Sequence, residues 1–146
     1  MKSLPLILAL AFSTAAQAGV DIQRWTTGNG TEVLLVEQHD NPIVDMQVNF
    51  KGAGSVFNPE GKSEVAEFTA ALLTDGTEKL DEESFNAAAD DIAAQIGSSS
   101  GQESSAAVLR SLSRPETLKQ AAGLLNQSLT RPRFDPAVFD RRQKEA

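Results

Sequence analysis

The sequence predicts an α+β fold in which an antiparallel or mixed β-sheet is covered on one face by helices. Three observations predict it. An Asn-Gly pair separates two β-rich runs near the start, residues 43–50 alternate apolar with polar side chains, and from Ser63 the apolar spacing becomes helical. A length of 146 residues fits one domain with one modest core.

The first pair of strands is predicted over residues 22–27 (IQRWTT) and 31–37 (TEVLLVE), on either side of Gly28-Asn29-Gly30. After the turn His39-Asp40-Asn41-Pro42, residues 43–50 place Val44, Met46, Val48 and Phe50 on one face and Asp45, Gln47 and Asn49 on the other. That is the pattern of a half-buried antiparallel strand. Residues 52–61 form a glycine-rich loop. Val65, Phe68 and Leu72 then share a helix face that Gly76 ends. A second helix is predicted to begin at Asp81-Glu82-Glu83, to bury Phe85, Ala89, Ile92 and Ile96, and to stop at Gly97.

Residues 98–105 (SSSGQESS) are small and polar and resemble a linker, although the stretch is too short to separate domains. It leads into a strand over residues 106–112 (AAVLRSL). Ser113 and Glu116 make a capping-box pattern for a third helix that buries Leu118, Ala122, Leu125 and Leu129. A fourth helix begins with Asp135 as N-cap, Pro136 in the first turn and Phe134 stapled to Phe139. Residues 141–146 carry no stop signal, so truncation at the C-terminus is expected. The basic cluster Arg131, Arg133, Arg141 and Arg142 reads as a solvated face.

Residues 1–18 have the form of a secretory signal peptide: Lys2, an apolar run from Leu4 to Phe12, and Ala16-Gln17-Ala18 before the cleavage point. The apolar run is about half of the roughly 20 residues needed to span a bilayer. Export to the periplasm is therefore expected, without membrane insertion after cleavage. The chain has no cysteine, which excludes disulfides, thiolate metal ligands and a cysteine nucleophile. Loss of Lys2 with the leader takes the formal charge from -7 to -8, which argues against nucleic acid and anionic membranes as partners.

Four phrases, in order, carry a resemblance. GNGTEVLLVEQHDNPIVDMQVNFKGAGS, GKSEVAEF, GTEK and RPRFDPAVFDRRQ resemble the N-terminal half of the pitrilysin/insulinase-type zinc metallopeptidases, a LuxS/pitrilysin-like metalloenzyme fold. The resemblance covers residues 22–146, and residues 19–146 are read as the family's N-terminal domain. Active members carry H-x-x-E-H on the helix that follows the Gly-Lys-Ser stretch. Two histidines one helical turn apart face one zinc, and the glutamate polarises the attacking water.

Aligned between GKS and GTEK, the first histidine position holds Glu67, the glutamate position Ala70 and the second histidine position Ala71. Alanine offers neither a lone pair nor a base. Glu67 could give one oxygen, whereas zinc takes three or four protein ligands. The only histidine, His39, lies far from this helix in sequence. The serines form no nucleophile elbow, and Glu64 with Glu67 fits a first helical turn. No catalytic, metal-ligating or cofactor-binding residue is therefore assigned.

The resemblance implies a degenerate, non-catalytic member of the family. The expected role is a partner subunit that helps to form a peptide-binding chamber beside a related zinc peptidase with an intact motif. Zinc is expected only in that partner, and an extended polypeptide is the expected guest. Two alternatives remain: an active zinc metallopeptidase whose site is completed elsewhere, and a stand-alone periplasmic polypeptide-binding or scaffold protein.

Overall fold

The computed structural model describes residues 20–145, so the leader expected over residues 1–18 lies outside the described residues. The chain divides into two compact units, Met1–Asp40 and Asn41–Ala146.

The first unit is a two-stranded antiparallel hairpin, β1 (Ile22–Thr26) paired with β2 (Glu32–Val36). The Asn-Gly signal locates the turn, but the loop runs from Thr27 to Thr31. The Thr27 amide donates to the Thr31 carbonyl at 2.9 Å and the Thr31 amide to the Thr27 hydroxyl at 3.1 Å. Arg24 reaches Glu32 across the strands at 3.0 Å.

In the second unit, β3 (Ile43–Lys51), β4 (Gln95–Ser100) and β5 (Ser104–Leu112) form an antiparallel sheet in the order β3-β5-β4. The period-two reading of β3 holds: Met46 faces Leu109 and Val48 faces Ala107 across the first ladder, and Ile96 and Ser98 take the same two partners across the second. One face of the sheet therefore presents Ala107, Leu109 and Ser111 to the helices, and all three are buried. The opposite face carries Asp45, Val108 and Arg110, with Arg110 gripping Asp45 at 2.6 and 2.9 Å. This pairing holds the Asp45 carboxyl below its ordinary range and raises Arg110, in each case mainly through the shared hydrogen bond.

Four helices complete the unit: α1 (Val65–Leu73), α2 (Glu82–Asp90), α3 (Pro115–Thr130) and α4 (Pro136–Glu145). The first three pack over β4 and β5, with α1 against both strands, α2 against β4 and α3 against β5, while α4 packs on α1. Ala94, Ala107, Leu109, Ala121 and Leu125 form one core cluster, and Phe85, Ala89 and Leu124 a second. Ile92 and Ile96 touch both clusters and join them.

Several expectations are corrected. The second helix stops at Asp90, because Ala93 turns into the left-handed region at φ 51 and the chain enters β4. Ile92 and Ile96 are partly buried against the core, but outside the helix, and Gly97 lies inside a strand. The serine-rich stretch is no linker: it is the end of β4, the hairpin turn and the start of β5. Pro115 occupies the first turn of α3, which moves the N-cap to Arg114, and that residue makes no side-chain cap bond. The buried face of α3 is Ala121, Leu124, Leu125 and Ser128, so of the four predicted residues only Leu125 is fully buried.

On α1 the predicted stripe is partly displaced as well. Leu72 is buried, whereas Val65 is 42% exposed and Ala70 takes up the packing. The cap of α2 is as expected, with Asp81 accepting from the Ser84 amide at 2.8 Å. Asp135 likewise accepts from the Ala137 amide at 2.9 Å, but the ring that Phe139 meets is Phe68 on α1, at 5.6 Å between centroids. The arginine cluster is exposed at Arg131, Arg133 and Arg141, but Arg141 and Arg142 also make ion pairs within the unit. Arg142 holds Asp75 at 2.6 and 2.9 Å, and Arg141 holds Glu82 at 2.7 and 3.0 Å. The bidentate Arg142–Asp75 pair and the Arg141–Glu82 pair, made through one guanidinium nitrogen, dock α4 onto the segments that end α1 and begin α2.

Candidate functional site

The entry to α1 is built by its preceding loop. Gly54 lies against the backbone of Gln102 and Glu103, where any Cβ would collide with the chain. The Ser55 amide donates to the Gly101 carbonyl at 2.9 Å and the Val56 amide to the Gln102 carbonyl at 3.0 Å, so the loop is fastened to the β4–β5 turn. Asn58 then organises the helix start: its Nδ2 donates to the Ser63 carbonyl at 2.6 Å and its Oδ1 accepts from the Ala66 amide at 3.0 Å. Glu64, the N-cap, makes no side-chain cap bond. The remote asparagine therefore does the capping that the local sequence does not.

The exit of α1 is equally fixed. Gly76 has φ +120, open to glycine and strained for other residues, and a Cβ there would press on the Leu80 carbonyl. Thr77 is fully buried and forms a bridge with Pro132, flanked by hydrogen bonds from the Glu78 amide to the Arg131 carbonyl and from the Arg133 amide to the Gly76 carbonyl. The phrases GTEK and RPRF, far apart in sequence, thus meet in space.

Between these fixed ends lie the three motif positions. Glu67 is exposed, and Ala71, one turn later, is half-buried. Ala70 is only 3% exposed, and its carbonyl accepts a hydrogen bond from the Ser98 hydroxyl on β4. Ala70 also borders an apolar recess of about 350 Å³ formed with Phe50, Phe57, Val65, Leu73 and Leu129. A carboxylate at this position would enter largely apolar surroundings. The structure places the three positions on one helix, and the donor set does not fit zinc, because Glu67 is the only side chain of the three with a ligand atom.

His39 lies in the hairpin unit, with an 88% exposed side chain 3.7 Å from Glu37. Among the described residues, no three or more histidine, cysteine, aspartate or glutamate side chains are grouped to hold a metal. A second, larger concavity of about 480 Å³ lies on the open face of the sheet, around Gln47, Gly97 and Val108, turned away from α1. Among the described residues no helix is long and apolar enough to cross a membrane.

Beside α1 runs the outer edge of β4. The Gly101 amide bonds the Ser104 carbonyl, and rungs alternate in an antiparallel ladder, so Ser99 and Gly97 bond β5. Ile96, Ser98 and Ser100 consequently turn their backbone N–H and C=O groups outward. Sequence reasoning missed this edge because QIGSSS lacks the β-branched and aromatic richness of a strand, apart from Ile96.

No protein-family model and no curated protein matches the chain. Solved structures do. The peptidase M16 inactive domain from Pseudomonas fluorescens superposes with a TM-score of 0.81 at 26% identity, over 86% of this chain and 30% of that one. The chain shares its fold with this pitrilysin-like M16 peptidase structure. A protease from Helicobacter pylori shares the fold, with a TM-score of 0.71 at 16% identity over the same shares of the two chains. The chain thus spans about 30% of the length of these two structures. The first of the two is named an inactive domain, and in this chain the motif positions hold Glu67, Ala70 and Ala71.

Proposed function

We propose that the chain is an exported, non-catalytic M16 subunit that holds extended polypeptide beside a related zinc peptidase. The observation that carries this reading is the contrast on α1. Its packing on β4 and the fastening at both of its ends are intact, while the motif positions hold no metal-binding set. A scaffold of this kind can serve by its shape without the chemistry.

The edge of β4 supplies a means of holding a guest. An extended peptide laid against Ile96, Ser98 and Ser100 would gain main-chain hydrogen bonds largely independent of its sequence. The surplus of acidic over basic residues favours basic guests. The periplasmic location rests on the leader-like residues 1–18.

The test is a pull-down from native cells with a tag inserted after Ala18, read by mass spectrometry. Recovery of a related protein with an intact H-x-x-E-H motif is the expected result. Recovery of the tagged chain without one overturns the partner-subunit reading. It leaves a stand-alone polypeptide-binding protein.

A further inference from the structure

The opposite edge of the sheet is built for a different occupant. Strand β3 is nine residues long, and none of its side chains is fully buried. Ile43, Met46 and Phe50 are 44%, 40% and 39% exposed, because the helices stand over β4 and β5. Two bonds fix which backbone groups are free: the Gly52 amide to the Glu103 carbonyl, and the Ser113 amide to the Pro42 carbonyl. With rungs alternating between these anchors, Val44, Met46, Val48 and Phe50 bond β5. Asp45, Gln47, Asn49 and Lys51 then direct N–H and C=O outward, as Ile43 does its carbonyl, while the Ile43 amide is taken by the Asn41 carbonyl at 2.9 Å. A long, partly apolar edge of this kind is a template for another strand.

We infer that β3 pairs with β3 of a second copy of this chain, antiparallel about a two-fold axis at Gln47. The sequence of the strand carries the choice of occupant. In this register Gln47 faces its own copy, Asp45 faces Asn49, and Ile43 faces Lys51, so the outward backbone groups of Asp45, Gln47 and Asn49 all have partners, the Ile43 carbonyl meets the Lys51 amide, and no like charges oppose. The rungs between them set Met46 against Val48 and Val44 against Phe50, all on the face that points toward the helix layers, which extends one apolar surface across the junction. A shift of the axis to Asp45 would oppose two carboxylates. A shift to Asn49 would leave part of the strand unpaired. The product is an isologous six-stranded sheet with both helix layers on the same side.

The full chain contains no cysteine, which makes a single-thiol test clean. With Gln47→Cys, the two thiols belong to residues about 5.5 Å apart at Cα, inside the range of a disulfide. With Asn49→Cys, the two copies of residue 49 lie about 14 Å apart along the junction, out of reach. The expected result is a solution mass of twice the chain for the unmodified protein by light scattering. Oxidation should then link the Gln47→Cys protein at least tenfold faster than Asn49→Cys. Gln47→Pro, which removes an outward N–H and spares the β5 ladder, should return the mass to that of one chain. A monomeric mass for the unmodified protein overturns the inference, as it would if another segment or protein covered β3. A dimer in which the two thiol variants link equally fast also overturns it, because the contact then lies elsewhere.

Discussion

The two edges of the sheet differ in how they are held. Strand β4 is six residues long, rich in serine, and backed by α1, to which Ser98 is hydrogen-bonded through the Ala70 carbonyl. Strand β3 is half as long again and more apolar, yet it is joined to the body through β5 and the Asp45–Arg110 pair, without a helix behind it. Burial in this fold thus follows the helices rather than the hydrophobicity of the strand. The poorer strand is mostly half-buried, and the richer one is mostly exposed.

The sharpest way to break this contrast uses one rung of the sheet. Met46 and Leu109 face each other across β3 and β5 on the helix side, but Leu109 is 1% exposed and Met46 40%. Leu109→Ala is expected to cost about 3 kcal/mol and Met46→Ala about 1 kcal/mol, because only the first leaves a cavity with little room to relax. Denaturant titration of both variants measures the difference. Equal losses would mean that β3 is covered in solution, and the distinction between the edges would fall.

A second prediction addresses the use of the β4 edge. Ser100→Pro removes an outward N–H from β4 and leaves the β5 ladder whole. If extended peptides add to this edge, the substitution should weaken their binding about three- to tenfold, the worth of one main-chain hydrogen bond. Fluorescence anisotropy with a labelled basic peptide reads the change. Unaltered affinity would remove β4 as the docking edge while leaving the fold assignment intact.

What was legible in the sequence divides along the same line. The alternation in β3 was plain, since a half-open strand in an antiparallel sheet keeps a polar and an apolar face. In β4 the helical spacing of Phe85, Ala89, Ile92 and Ile96 ran on past the real end of the helix. Ile92 and Ile96 do pack against the core, but the turn at Ala93 that redirects the chain has no glycine to announce it. The strand status of QIGSSS comes from its pairing with β5, a tertiary fact that local propensity does not contain. The loss of the zinc motif was visible because it is a question of residue identity at fixed spacing. The arginine pairs were not. Arg142 and Asp75 stand 67 residues apart, and nothing in either neighbourhood names the other.

Acid provides the smallest and most local comparison. Asp45 ties β3 to β5, while Asp81 caps α2 in the helix layer, and both carboxyls are held below their ordinary value near 3.8 by the hydrogen bonds they accept, from Arg110 and Ser84 respectively. A depressed folded-state value means that each group favours the folded protein above the unfolded-state value. That contribution disappears as the pH falls through the lower, folded-state value. The parent should therefore lose stability as the pH drops below about 4, the ordinary carboxylate range. Asp45→Asn and Asp81→Asn should each be less stable than the parent at pH 6, with part of the gap closing toward pH 3. Both groups are solvent-exposed, so screening keeps the effects small, and added salt should shrink the Asp45 effect more than that of the cap. Denaturant midpoints between pH 3 and pH 6, at low and high salt, check this. If the two variants responded alike to salt, the tie that holds β3 would be mainly a hydrogen bond, as the cap is, rather than an attraction between charges.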